Sequence, residues 1–410
     1  MTKKQNPIIP IVACVLAQVC VGIIYAWSAL RASAIEFYGW SGESATLVAS
    51  FMLFAFCFGN FIGGFLNDRI GPKKVSLIGI VVFGLGILLS SFLRPGSSVV
   101  LFYITYGIIG GLGSGITYGA VLACIQKWFP HKRGFATGLA AGAFGLSTFV
   151  FSFVIKGMLK TLPISTTLLL LSAIFLIVGI ISCLFIRLPS EEYLASLPKP
   201  AVKKSSSIPA GNKTFGEAVR TVPFWCLFLG IFFYNGTWNM LNPIIRDLGF
   251  ERGLSADSAT LLLSLTGLFN AAGRLIMASL SDKLGRVTTM YILSVATIVC
   301  AVLLMFIGGA GYFVIVLLTA FAFGGPAAIN PATSTDFFGA KYAGTNYGVI
   351  MLALGFSSII FNAISGKLVA ATGAYMMTFI MGAITALITI IIFIIINRCI
   401  KKQNAERNDG

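Results

Sequence analysis

The sequence is short of charge. Asp, Glu, Lys and Arg make up only 10% of its 410 residues, 57% are hydrophobic, and the mean hydropathy is +0.93. Soluble domains carry about 25% charged residues. Too little polar side chain is present here to cover a water-facing exterior, which excludes an ordinary cytosolic enzyme and a disordered chain. Acids are scarcest, 13 Asp+Glu against 29 Lys+Arg, for a net charge of +16. There is one histidine, His131, in a basic stretch. The eight cysteines form no CxxC pair and sit in or beside apolar runs. A disulfide framework or zinc site needs clustered spacing in polar loops, so the cysteines read as small apolar packing residues. Neither a metal nor a cofactor is expected.

What is present is long apolar runs. A membrane-crossing helix needs about 20 such residues. Twelve runs qualify, at 8–30, 44–66, 75–93, 98–123, 134–158, 165–187, 222–245, 257–280, 288–307, 312–335, 345–369 and 374–397. The first follows Lys3 and Lys4 but exceeds the 7–15 apolar residues typical of a secretory signal, so it is expected to stay as a span. The expected fold is an all-α polytopic membrane protein with twelve transmembrane helices in two six-helix bundles. Residues 1–187 form the first bundle and 222–397 the second. Residues 188–221, rich in Pro, Lys and Ser, form a flexible solvated linker, and 398–410 a tail.

Charge then gives orientation. With both ends and the linker on one side, that side holds 21 of the Lys and Arg residues and the other holds 7. Cytoplasmic loops carry the excess. Both termini are therefore expected in the cytoplasm of a cell whose plasma membrane holds the chain, and the positive charge calls for no nucleic-acid partner. One basic residue, Arg274, belongs to neither side.

The chain also repeats itself. After the second run it reads Gly64-Phe-Leu-Asn-Asp68-Arg69-Ile-Gly71-Pro-Lys73-Lys74, and after the eighth Ser281-Asp282-Lys283-Leu-Gly285-Arg286. The two aspartates are 282 − 68 = 214 residues apart, and the same offset carries Gly134 onto Gly348. Two parallel halves of this kind are a transporter architecture. In each loop the glycine permits a tight turn, and the acid and bases can pair with helix ends when the halves close on that side. The pattern resembles the signature loop of the major facilitator superfamily, which matches Gly64 to Lys74 at each defined position. The resemblance implies alternating access by two rocking bundles, with no covalent chemistry and hence no enzyme.

Further stretches resemble the branch containing the bacterial oxalate:formate antiporters and their lactate- and pyruvate-carrying relatives. These are Tyr25-Ala-Trp27-Ser28, Gly113-Ser-Gly115-Ile-Thr-Tyr118-Gly119, Lys127-Trp128-Phe129-Pro130-His131-Lys132-Arg133-Gly134, Asn270-Ala-Ala-Gly273-Arg274, Phe337-Phe338-Gly339-Ala340-Lys341 and Asn346-Tyr347-Gly348.

Arg274 is the residue on which function turns. An arginine at a helix centre costs about 2.5–3.5 kcal/mol on insertion scales, so it does not face lipid. Thr266, Asn270 and Arg274 form a polar stripe at i, i+4, i+8. Arg274 lies five residues past the midpoint of 257–280, about 7 Å at 1.5 Å per residue, and its side chain leans back toward the centre. Tyr25 and Tyr118 lean toward the same level. All thirteen acids fall in loops or at helix ends, so no acid within the membrane neutralises Arg274, and an anion is invited. A guanidinium matches a carboxylate as a planar pair.

The resemblance refines this. Oxalate carriers of the branch have a second membrane cation, a lysine in helix eleven, and that position here is Leu354. One cation suits one carboxylate, so the expected substrate is a small monocarboxylate of the lactate, pyruvate or formate type. An oxalate/formate-type antiporter or a carrier of another small solute is the alternative. Related carriers place an Asp where this chain has Asn270, which leaves proton symport and anion exchange both open. Phe321, Phe323, Met351 and Phe356 are candidate cavity aromatics and apolar residues. The expected partners are the substrate and the lipid bilayer, with a monomeric protein.

Overall fold

Apolar runs of this length fold as helices because a helix satisfies its own backbone hydrogen bonds where water is absent. The computed structural model describes residues 6–197, 212–372 and 375–408. Helix α1 runs Ile8–Val21 and passes through a 3₁₀ turn, Gly22–Ala26, into Trp27–Tyr38. The first half continues with α2 (Gly42–Ile70), α3 (Pro72–Ser91), α4 (Val99–Trp128), α5 (Arg133–Leu159) and α6 (Ile164–Phe185). The second half holds α7 (Val222–Leu241), α8 (Ala256–Leu284), α9 (Arg286–Phe306), α10 (Gly309–Phe338), α11 (Ala343–Thr372) and α12 (Met376–Asn408). No strand occurs among the described residues.

Ten of these helices are long and apolar enough to cross a membrane, and the two parts of α1, bent by 47°, make an eleventh. The twelfth, α7, falls below that standard of apolarity because Asn235, Thr237 and Asn239 ride on it, all buried. At two ends the helices run on past the expected spans. The chain of α1 stays helical to Tyr38, and α12 runs on through residue 408, so most of the expected tail is helix.

The caps reveal the repeat in detail. Ser41 accepts from the Ser44 N–H at 3.2 Å and opens α2, while Ser255 accepts from the Ser258 N–H at 3.3 Å and opens α8. Such a cap satisfies one of the unpaired N–H groups of a first helical turn. Both helices run 29 residues and end on a glycine with positive φ, Gly71 at 83° and Gly285 at 93°. A side chain opposes that backbone conformation. Cap and terminating glycine repeat at the 214-residue offset of the aspartates.

Packing repeats as well. In the first half α2 packs on α4, α3 on α6 and α1 on α5; in the second, α8 packs on α10, α9 on α12 and α7 on α11. The halves meet along two seams, α5 against α8 and α2 against α11. Small residues let these backbones touch. On α4, a Cβ at Gly115 would lie 2.6 Å from the Asn60 nitrogen of α2, and one at Gly113 would lie 2.6 Å from Phe83 Cα of α3.

The linker is more ordered at its ends than a solvated connector. Glu191–Ser196 is helical, and Tyr193 packs edge-on against Trp128 at 5.1 Å. Phe215–Ala218 is a short helix closed by a Thr214–Glu217 capping box. The Lys213 N–H donates to the Phe338 carbonyl at 2.9 Å, and Asn346 Nδ2 donates to the Lys213 carbonyl at 3.0 Å. Residues 198–211 of the expected linker lie outside the described residues.

Candidate substrate site and gates

Helix α8 buries Arg274 to 3% exposure, because its i, i+4 polar stripe faces the other half across the α5 seam. Its Nε donates to Asn270 Oδ1 at 2.8 Å, one turn earlier on the same helix. One Nη donates to the Ala141 carbonyl of α5 at 3.2 Å. The guanidinium carbon stands 5.7 Å from the centre of the Phe144 ring, also on α5. The other Nη has no hydrogen-bond partner and no carboxylate pairs with Arg274 among the described residues. Two contacts fix the fork, and its remaining N–H groups make no hydrogen bond among the described residues.

Phe144 joins this cation to the first half. Tyr118 of α4 meets the Phe144 ring edge-on at 5.0 Å and is itself fully buried. Tyr347 of α11 is buried and bonded through its hydroxyl to Met351 Sδ at 3.3 Å. Asn270 therefore touches Arg274 directly, and Tyr118 stands behind Phe144, one ring away from it. It gives Phe323 another neighbour: the ring stacks on Trp238 of α7, centroids 5.0 Å apart at 18°. Leu354 is buried on α11. Phe356 is exposed and meets Phe54 edge-on across the α2–α11 seam at 6.4 Å. The side chain of Tyr25 lies outside the described residues.

Sequence reasoning missed four contributors. Phe144 was one of 35 phenylalanines and had no mark. The Ala141 carbonyl is backbone, which any residue supplies. Tyr347 carries no mark of its own within Asn346-Tyr347-Gly348. Trp238 stood in α7 beside Asn235 and Asn239, whose polarity in a membrane run was the available signal.

Both aspartates of the repeated loops reach across to the opposite half. Asp282 accepts from the Gly134 and Phe135 N–H groups at 2.9 Å each, and so caps α5, whose own N-cap Lys132 makes no side-chain cap hydrogen bond. Asp68 accepts from the Thr345 N–H at 2.9 Å and the Thr345 hydroxyl at 2.8 Å, and so caps α11. A carboxylate at a helix N-terminus meets unpaired N–H groups and the positive end of the dipole.

The bases divide. Arg286 pairs with Asp282 at 2.7 Å and with Asp336 of α10 at 3.0 Å, and Arg133 of α5 meets the other oxygen of Asp336 at 2.9 Å. Arg69 instead lies over the Phe65 ring at 4.0 Å, while Lys73, Lys74 and Lys283 are exposed.

This capping corrects the expected register of the repeat. Gly134 and Gly344 both hold the second position of the capped helix, so the mate of Gly134 is Gly344, one turn before Gly348. The true mate of Gly348 is Gly138. The offset is 214 for α2 and α8 but 348 − 138 = 210 for α5 and α11.

Both seams are tightest at the end carrying these loops. On α5, a Cβ would lie 2.8 Å from the Arg274 carbonyl at Gly138 but 3.4 Å from the Ala271 carbonyl at Gly142. Further along, one at Gly267 of α8 would lie 3.6 Å from Thr148. On α11, the separation is 2.7 Å from Gly64 at Gly344 and 3.3 Å from Cys57 at Gly355. Gln126 and Thr335 add a hydrogen bond between the halves at 2.6 Å, and Thr137 donates to the Ala328 carbonyl at 2.6 Å. The molecule is closed at the loop end.

Comparison with known proteins agrees with this architecture. The chain is 26% identical over 366 residues to an uncharacterized MFS-type transporter, YhjX, of Escherichia coli (strain K12), covering 85% of each. It is 30% identical over 333 residues to the oxalate:formate antiporter of Oxalobacter formigenes, covering 80% of this chain and 76% of that one. It is 26% identical over 327 residues to monocarboxylate transporter 13 of Rattus norvegicus, covering 79% and 73%. Among solved structures, the transporter FucP in its outward conformation superposes with a TM-score of 0.73 at 14% identity, over 94% of this chain and 98% of that one. The Major Facilitator Superfamily model matches residues 11–362 and again 227–408. With matching helices, repeat and family model, the chain belongs to the Major Facilitator Superfamily and is a transporter, not an enzyme.

Proposed function

We propose that this protein is a secondary active transporter of small monocarboxylate anions, of the lactate, pyruvate or formate type, working by alternating access. The observation that carries the reading is Arg274. A cation buried to 3% exposure, with no carboxylate partner among the described residues and one Nη unbonded, calls for an anionic ligand. An unpaired buried charge is costly, and a carboxylate offers the two coplanar acceptors that a guanidinium fork fits. Asn270, Tyr118, Tyr25, Phe323 and Leu354 complete the proposed site. The printed names of two relatives, an oxalate:formate antiporter and a monocarboxylate transporter, support small organic anions as the class.

In this reading the loop end faces the cytoplasm, as the excess of Lys and Arg there favours. Both termini then lie inside the cell membrane, and the closed loop end makes this the outward-facing state. The two loops (Gly64, Asp68, Arg69, Gly71 and Lys73; Asp282, Lys283, Gly285 and Arg286) form the inner gate. The bundles 1–187 and 222–397 rock about Arg274, joined by 188–221. Transport is coupled either to a proton carried with the substrate or to exchange for a second anion.

The test is counterflow in proteoliposomes with a panel of labelled carboxylates, with and without a pH gradient. Uptake of lactate, pyruvate or formate, lost in Arg274→Ala, supports the reading. Uptake of oxalate without any monocarboxylate would favour the dicarboxylate antiporter that the Oxalobacter relative represents.

A further inference from the structure

The two-fold repeat gives Arg274 a partner in the first half. Subtracting the α2–α8 offset, 274 − 214, leads to Asn60 on α2. The local geometry agrees with the arithmetic. A Cβ at Gly138 of α5 would lie 2.8 Å from the Arg274 carbonyl, and one at Gly348 of α11, the mate of Gly138, would lie 3.1 Å from the Asn60 carbonyl. Asn60 therefore occupies on the α2–α11 seam the place that Arg274 occupies on the α5–α8 seam. The side chain of Arg274 is bonded to α5; that of Asn60 is not so satisfied.

Asn60 is 1% exposed, and its Nδ2 is buried with no hydrogen-bond partner among the described residues. Leaving a buried donor unpaired is destabilising, and native structures rarely do so without a reason. Packing does not supply one. The amide lies against Gly119 of α4, where a Cβ would come within 3.1 Å of Oδ1, so the neighbouring helix leaves the amide its room. The next residue back is Tyr118, whose ring touches Phe144, and Phe144 lies beside the Arg274 guanidinium. The unpaired amide thus packs on the residue next to the one whose ring leads, through Phe144, to the cation, and it belongs to the opposite half of the repeat.

We propose that Asn60 is the first half's recognition group for the substrate. Arg274 takes the carboxylate, and Asn60 Nδ2 donates to an oxygen on the adjacent carbon when the bundles close on the substrate. The chemical class follows. A neutral amide donor suits a keto or hydroxyl oxygen, whereas a second carboxylate would call for a second cation. The carrier then prefers 2-oxo and 2-hydroxy monocarboxylates over unsubstituted ones of the same size. A site built to hydrogen-bond a substrate oxygen rejects the analogue that lacks it, because its own buried group is left unpaired. The proposal rests on the monocarboxylate reading of Arg274.

The experiment is competition in proteoliposome counterflow, with lactate, pyruvate and propionate measured on the wild type, Asn60→Leu and Asn60→Ser. In the wild type, lactate and pyruvate should compete about tenfold or more better than propionate, the discrimination expected of one well-placed hydrogen bond. Asn60→Leu, close in volume and without a donor, should reduce that ratio to near one by weakening lactate and pyruvate while leaving propionate within about twofold. Asn60→Ser, which keeps a donor, should restore part of the ratio. A wild type that binds propionate as well as lactate overturns the proposal without any variant, as does an Asn60→Leu protein that keeps the full ratio or weakens all three acids equally. A wild type that moves no monocarboxylate at all fails earlier, at the reading of Arg274.

Discussion

Asp68 at the end of α2 holds the first turn of α11, in the opposite half, by accepting both the backbone N–H and the hydroxyl of Thr345 on a single carboxylate oxygen, at 2.9 and 2.8 Å. Its mate Asp282 holds α5 with both carboxylate oxygens, one accepting the Gly134 N–H and the other the Phe135 N–H. Each half thus contributes the missing cap of a helix in the other, and separating the halves at this end breaks both caps. Capping interactions contribute about 0.5–2 kcal/mol each. Asp68→Ala or Asp282→Ala should therefore shift the population toward the state open at the loop end by about 2- to 30-fold. Spin labels across each seam would read the shift as a longer distance component. An unchanged distance distribution in both variants would remove these caps from the gate.

The contacts of Arg274 distinguish its charge from its shape. Arg274→Lys keeps the charge but loses the planar fork, the Nε bond to Asn270 and the bond to the Ala141 carbonyl. Lysine is a compact point charge and does not substitute at forked sites. Transport by Arg274→Lys should fall at least about tenfold, while the purified protein stays monodisperse and keeps its helical circular dichroism. Near-normal uptake would show that any cation at this depth suffices and that geometry plays no part.

Much of this was legible in the sequence, and the exceptions have causes. The helices were legible because a membrane span is a long apolar run, and α2 and α8 because their loops repeat. Arg274 stood out because charge is rare in such runs. The register of the repeat slipped by one turn at Gly134, because four residues are lost between the α8 loop and α11, and the sequence marks no place for the loss. Asp336 was legible only as an acid near a helix end; that it joins Arg133 to Arg286 depends on α10 meeting α5 in space. The orphaned amide of Asn60 could not be seen at all, since Asn60 sits in an apolar run and only the fold removes its partners.

The close approach of α8 and α10 makes a separate, steric prediction. A Cβ at Gly324 would collide with the Asn270 carbonyl and come within 3.1 Å of the Arg274 nitrogen. Gly324→Ala must push α10 away from the segment that carries both site residues, and overpacking of this kind costs about 1–3 kcal/mol. Gly157→Ala on α5 is the control, because nothing lies within 4 Å of the added methyl and alanine favours helix. The thermal midpoint in detergent should fall for Gly324→Ala and hold or rise for Gly157→Ala. Equal midpoints would mean that the α8–α10 contact yields more easily than its backbone distances imply.

The two seams close with different chemistry, and salt should separate them. On the α5–α8 side, Asp336 takes Arg133 and Arg286, and Arg286 also meets Asp282, with the side chains 15–32% exposed. On the α2–α11 side the acceptor is again a carboxylate, but its partner Thr345 is neutral. Partly exposed ion pairs are screened, and the Debye length shrinks from about 10 Å at 0.1 M to about 3 Å at 1 M. A hydrogen bond to a neutral hydroxyl and amide has far less long-range attraction to lose. Raising salt from 0.1 to 1 M should therefore broaden label distances across α5–α8 more than across α2–α11. Asp336→Asn should mimic the salt effect at low salt and abolish most of the further response. Because each exposed pair is worth only about 0–1 kcal/mol, its population shift should be smaller than that of Asp282→Ala, which loses two backbone caps as well as a pair. A salt response equal at the two seams, or an Asp336→Asn effect larger than that of Asp282→Ala, would mean that the ionic network and not the helix caps holds this end shut.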